Sequence, residues 1–300
     1  KMLAHKLPKL IELQKKYGTT LLYDASACGS IPVIRNLEEY YDNDLLISVK
    51  GILNGSSNFI LSKIFNENMS HGDALRLASD EGFLESNPSL DLDGWDSLFK
   101  LVIIGVHAFG VYVDPDKVFN YGITNMNDDD IRFSREKDRR IKLVAHVEKL
   151  ADNRLVMCVI PQLISKNKYI YSVEDEFNGV VIKGLFYDKQ FMFGRGAGAR
   201  PTSSAVLSDI TASLYDYKYE YKKLNHSSSL PQFSDDISFR LYVRYNDPVD
   251  LGLLHFDEIY ESYSSKGYNY IVGRVSLKNL HSAREALNAR KVFLAAYPAD

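Results

Sequence analysis

Apolar residues at Leu7, Leu10, Ile11 and Leu13 recur at helical spacing and predict an amphipathic helix over residues 5–17, ended by Gly18. Leu21, Leu22 and Tyr23 read as a short buried strand that runs into a stretch of small residues, Asp24 to Pro32. Pro32 suits the first turn of a helix through Leu37 and Tyr40. Residues 45–52 are rich in Leu, Ile and Val and predict a second strand, feeding the polar turn Asn54-Gly55-Ser56-Ser57-Asn58 and an apolar helix over 59–65. Further helices are expected over 72–80, with Gly82 as a left-handed stop, and over 94–107; the acidic, proline-bearing stretch 83–93 between them reads as loop. Residues 115–140 are a charged connection in which Asp128-Asp129-Asp130 reads as a solvated loop or a helix start. From 141 to 193 the pattern turns strand-like, with strands at 141–147, 155–161 and 180–185 and turn chemistry at Asp152-Asn153, Lys166-Asn167 and Asn178-Gly179. Gly194 to Gly198 opens a helix over 202–214, and the Ser- and Asn-rich residues 225–231 read as a linker. Beyond it a strand at 239–245, a helix at 253–263, a strand at 268–275, a helix at 281–289 and a strand at 292–296 make a small α+β unit.

The whole reads as α/β (α+β). With 300 residues, 45% hydrophobic and 25% charged, the chain has a globular composition with room for two domains, which excludes disorder and fibre. The longest apolar run, 101–113, is interrupted by Gly105, His107 and Gly110, so no membrane partner is expected. Thirty-six basic against 39 acidic residues leave a formal charge of −3, without the basic surplus of a nucleic-acid binder. Only Cys28 and Cys158 are present, which excludes a disulfide framework and points to a reducing, cytoplasmic setting. The chain begins at Lys1 without a signal-like leader, in helix-like text that reads as the continuation of an upstream portion.

The most informative chemistry lies between Ala78 and Lys100. Asp96 and Lys100 stand one helical turn apart on an otherwise apolar helix, with Trp95, Leu98, Phe99, Leu101, Val102 and Ile103 around them. An exposed ion pair is the simple reading of such spacing. The apolar surroundings favour instead a lysine buried among acids, a positioned amine able to exchange protons.

The run Ala78-x-x-x-Gly82-Phe83, then Asn87-Pro88-x-x-Asp91-Leu92-x-Gly94-x-Asp96-x-x-x-Lys100, resembles the signature of the homoserine dehydrogenase family, departing from it at Leu84. Tyr23 to Pro32, Gly51 to Phe59 and Gly194 to Thr202 resemble three further family segments in the same order, so the resemblance covers residues 1 to about 215. It implies NAD(P)-linked interconversion of L-homoserine and L-aspartate 4-semialdehyde, on a catalytic domain with a mixed sheet. By position, Lys100 matches the proton-relaying lysine, Glu85 and Asp96 match acids that hold the substrate ammonium and orient that lysine, and Asp91 supports them. Gly55 and Ser56 match backbone positions beside the substrate, and Gly82 and Gly198 match glycines that approach the nicotinamide nucleotide. The resemblance also implies a monovalent cation, typically sodium, held at Asp24, Ala27, Gly29 and Ile31, with Asp24 one methylene shorter than the family's glutamate.

The family's Gly-x-Gly-x-x-Gly turn has no counterpart; Gly194 to Gly198 comes late and lacks its βαβ setting. Residues 1–30 are therefore expected to be the remnant of a Rossmann-type dinucleotide-binding domain, 31–215 the catalytic and dimerisation domain, and 235–300 a separate unit. Lys1 is expected to be a lysine of the family's Thr-Ala-Asn-Lys run or its neighbour. The segment from Arg240 to Gly252 loosely resembles the opening of an ACT-type amino-acid-sensing domain, with a regulatory or a dimer-supporting role. The family's symmetry implies a homodimer or higher homo-oligomer through the 141–193 sheet. A second reading stays open: a catalytically incomplete chain that dimerises and senses an amino acid.

Overall fold

A computed structural model describes residues 1–43, 45–84, 87–226 and 229–298. The first half alternates helices with a single long strand: α1 (Met2–Tyr17), α2 (Val33–Glu39), β1 (Leu46–Ile52), α3 (Gly55–Asn66), α4 (His71–Asp80), α5 (Ser89–Leu92) and α6 (Trp95–Phe109). Then follow β2 (Phe119–Asn120), α7 (Asp128–Glu136), β3 (Arg139–Lys149), β4 (Arg154–Ser165), β5 (Phe177–Gly184), β6 (Asp188–Arg195), α8 (Ala199–Ser213) and α9 (Lys222–His226). The C-terminal unit comprises β7 (Gln232–Phe233), β8 (Ser238–Tyr245), β9 (Phe256–Ser265), β10 (Tyr268–Ser276), α10 (Leu277–Ala289) and β11 (Phe293–Ala296).

The strands form one mixed sheet in the order β6-β5-β1-β3-β4-β11-β8-β10-β9, with β2 and β7 pairing on β4. Its body is the long antiparallel β3–β4 ladder, in register at Val144↔Ile160, flanked by β1 at Val49↔Val147. The strands of the C-terminal unit continue this sheet through a parallel contact at Ala296↔Gln162. Helix α6 is apolar nearly all round and buried from Ser97 to Phe109 except Lys100, as expected of a helix walled in on every side. It packs on β1, β3 and β4, with α1, α2, α5 and α9 against it. A second apolar cluster fills the space between α10, β2, β4 and β8.

Three elements differ from the sequence reading, the first being the short helix α5 at Ser89–Leu92 inside the stretch 83–93 read as loop. Residues 21–23 belong to no strand; they lead into a 3-10 turn at Asp24–Ser26. Three apolar residues suit any buried segment, and here Tyr23 is anchored instead by its hydroxyl, 2.7 Å from His107 Nε2, whose Nδ1 meets Glu38 Oε1 at 2.5 Å. Residues 253–263 are not a helix: a 3-10 turn covers Pro248–Leu253, and Phe256–Ser265 is the edge strand β9. Phe256, Ile259, Tyr260 and Tyr263 mimic helical spacing, but the antiparallel ladder with β10, including Tyr270↔Tyr263, prevails.

The acidic run starts α7, with Asn127 and Asp130 forming a capping box. Only part of it is solvated. Asp130 is fully buried and takes both carboxylate oxygens to Arg244 Nε at 2.9 and 3.0 Å, with Tyr242 Oη donating at 2.8 Å. Burial pushes its carboxyl up to about 6, against the pull of the guanidinium. This pair ties α7 to β8.

Candidate active site

The loop after β1 and the first turn of α6 meet at a lysine. Lys100 Nζ donates to the Leu53 carbonyl and to Asp96 Oδ2, both at 2.7 Å. The Asp96 and Lys100 side chains are 33% and 17% exposed, so the pair stands at the rim of the core and open to a ligand. Asn54 completes the cluster. It caps α3 by accepting from Ser57 N at 2.8 Å, and its Nδ2 donates to Asp91 Oδ1 at 2.7 Å and to Asp96 Oδ2 at 2.8 Å. One amide thus couples the start of α3, where Gly55 and Ser56 lie, to two carboxylates and, through Asp96, to the lysine.

The other motifs close around the same carbonyl. Asn178 of β5, fully buried, donates from Nδ2 to Leu53 O at 3.1 Å and lies near the Cys28 thiol, which burial pushes up to about 12. A Cβ on Gly196 would strike the Asn178 amide at 2.1 Å, and one on Gly29 would strike the Gly196 carbonyl at 2.5 Å. Ser30 N donates to Arg195 O at 3.1 Å. The small-residue loop, the Asn54 turn, the Gly194–Gly198 loop and Lys100 are therefore one assembly. Asn54 and Asn178 are the candidate site residues that sequence reasoning missed. Their signal was a lone asparagine at a strand end, which reads equally as turn chemistry.

Gly82 follows α4 with φ +77°, and Gly198 caps α8 with φ +107°. A Cβ at Gly82 meets nothing within 4 Å and one at Gly198 meets only the Pro201 ring, so both present bare backbone to open space. Glu85 lies outside the described residues. In the 24–31 loop, Asp24 is 3% exposed, accepts from Arg35 N at 3.1 Å through Oδ1 and donates its own N–H to Asp209 Oδ2 at 3.0 Å. Burial raises Asp24 to about 6, with Asp209 adding to the shift and the Arg35 N–H opposing it. The Ile31 carbonyl accepts from Val33 N at 2.7 Å.

The sequence profile described as homoserine dehydrogenase matches residues 32–211. The chain belongs to the homoserine dehydrogenase family. The homoserine dehydrogenase of Helicobacter pylori is 35% identical over 209 residues, 70% of this chain and 49% of that protein. The chain spans about half the length of several curated homoserine dehydrogenases it matches and 61% of the one from Bacillus subtilis. Its fold is that of the homoserine dehydrogenase structure from Thiobacillus denitrificans, with TM-score 0.82 and 24% identity over 99% of this chain and 74% of that one. A hyperthermophilic archaeal homoserine dehydrogenase mutant in complex with NADPH gives TM-score 0.62 and 26% identity, covering 73% and 63%.

Proposed function

We propose that this chain carries the substrate half of a homoserine dehydrogenase, interconverting L-homoserine and L-aspartate 4-semialdehyde with NAD(P). The observation that supports this reading most is Lys100, held between the Leu53 carbonyl and an Asp96 carboxylate that Asn54 links to Asp91. Two of its three N–H bonds have partners among the described residues, and the third is left for a substrate oxygen. Reducing the aldehyde places negative charge on that oxygen, and the Lys100 ammonium donates the proton that neutralises it; in the reverse direction the neutral amine accepts the hydroxyl proton. Asp96, with Glu85, receives the ammonium of the amino acid, as the family resemblance implies, and Asp91 supports them; Asn54 joins both aspartates to the N-terminal turn at Gly55 and Ser56. A bound nicotinamide nucleotide supplies the ring that carries the hydride. The bare backbone of Gly82 and Gly198 fits a flat ring or a phosphate, and these residues would lie against it.

A sodium ion at Asp24 and the carbonyls of Ala27, Gly29 and Ile31 belongs to the same proposal; it would offset a carboxylate that is otherwise buried beside Asp209. So does a homodimer through the 141–193 sheet, supported by Leu185, Phe186 and Phe193, which are 64%, 80% and 52% exposed at the β5–β6 edge. An ACT-like role for the C-terminal unit is also proposed; β8, a 3-10 turn in place of the expected helix, β9, β10, α10 and β11 follow one another there. The deciding experiment is L-homoserine-dependent reduction of NAD+ and NADP+ by the protein in its full natural length. Turnover with L-homoserine and none with L-serine supports the assignment, and the converse overturns it.

A further inference from the structure

The C-terminal unit reaches into the turn that carries the acids. Arg284 of α10 donates from Nη1 to Asn120 Oδ1 at 2.8 Å, and Asn120, itself buried, donates from Nδ2 to the Asp93 carbonyl at 2.9 Å. The same guanidinium lies over the Trp95 ring, 5.4 Å from its centroid. Asp93 and Trp95 flank Gly94, whose φ of +83° turns the chain from α5 into α6 and so sets Asp91 against Asp96 and Lys100. The segment after β2 is pressed onto this turn: Ile123 N donates to Leu92 O at 2.7 Å, and a Cβ on Gly122 would fall 1.8 Å from that oxygen.

The geometry points to Arg284 as a positioning residue for the substrate site. Through Asn120 on one side of Gly94 and Trp95 on the other, it fixes the angle between the carboxylates and the lysine, which makes the C-terminal unit a structural part of that site. The role needs arginine. A guanidinium lays its plane on the indole while one edge donates to the amide, whereas an ammonium is a point charge that cannot present both a flat face and a directed edge. The inference rests on the proposed substrate site, but one of its tests does not.

The test compares Arg284→Ala, Arg284→Lys and Asn120→Ala, with exposed Glu285→Ala as control, in the full-length protein. Amide hydrogen exchange without ligand is read over residues 93–100, and KM and kcat are read with L-homoserine. Expected are faster exchange over 93–100 in both Arg284 variants, KM for L-homoserine raised by about tenfold with kcat within about twofold, and a double variant no worse than Arg284→Ala alone. The emission of Trp95, the sole tryptophan, shifts in parallel. Wild-type exchange over 93–100 with wild-type KM in Arg284→Ala, full rescue by lysine, or simple additivity with Asn120→Ala would overturn the inference. Absence of homoserine turnover in the unsubstituted protein would count against the proposed function, while the exchange data would still decide the positioning role.

Discussion

Asn54 joins stability to function, and replacing it separates the two. Asn54→Ala removes the α3 cap, worth about 1 kcal/mol, and two amide-to-carboxylate hydrogen bonds, worth about 1 kcal/mol each. The second part is reduced because the Asp96 side chain is 33% exposed and water replaces the lost donor. The expected loss is about 2 kcal/mol, or about 3 °C in Tm for a chain of this size. Asn54→Ser keeps a capping oxygen but is too short to reach Asp91 and Asp96, so it recovers about 1 kcal/mol and none of the bridge. Without the bridge the two carboxylates repel and no longer face the substrate ammonium together. Both variants are expected to lose at least about tenfold in kcat/KM for L-homoserine, the scale of a misplaced binding group. Thermal unfolding by circular dichroism and steady-state kinetics read the two effects independently. Recovery of kcat/KM along with stability in Asn54→Ser, or an Asn54→Ala enzyme of normal kcat/KM, would refute the reasoning.

Lys142 is 1% exposed, donates to Asn58 Oδ1 at 3.0 Å and to Val173 O, and is lowered by burial from 10.5 to about 7. The unfolded chain therefore binds the extra proton between pH 7 and 10.5, stability rises with pH across that window, and the cost is complete below it. Lys142→Met is expected to flatten this rise in Tm, and an unchanged slope would discount the buried charge. If sodium binds at Asp24, the wild-type protein melts higher in sodium chloride than in choline chloride at equal ionic strength, and Asp24→Asn abolishes the difference; equal melting temperatures in the wild type would exclude the ion. The dimer reading expects sedimentation at twice the chain mass at micromolar concentration, with Phe186→Glu shifting the protein toward monomer, and a wild-type monomer would exclude it.

The spacing of Asp96 and Lys100 was legible in the sequence because a helix fixes neighbours one turn apart; the burial expected from their apolar surroundings is only partial, since the two side chains are 33% and 17% exposed. The long strands β1, β3, β4 and β5 were legible by their runs of branched apolar residues. Asn54 and Asn178 were not, because an asparagine at a strand end has no period, and its partners lie 37 and 125 residues away in the chain. Asp130 was hidden for the same reason: its fate depended on Arg244, 114 residues on. Strand β9 carries a helical pattern by accident of its tyrosines and declares itself only beside β10.

The central claim is that Lys100 moves the proton between substrate and protein. It is tested most directly by the pH–rate profile of L-homoserine oxidation in the full-length protein and in Lys100→Ala, with nicotinamide nucleotide affinity measured alongside. The account predicts kcat lowered by about 10²-fold or more, loss of the basic requirement from the profile, and nucleotide affinity little changed. Near-normal turnover of Lys100→Ala at neutral pH would contradict it.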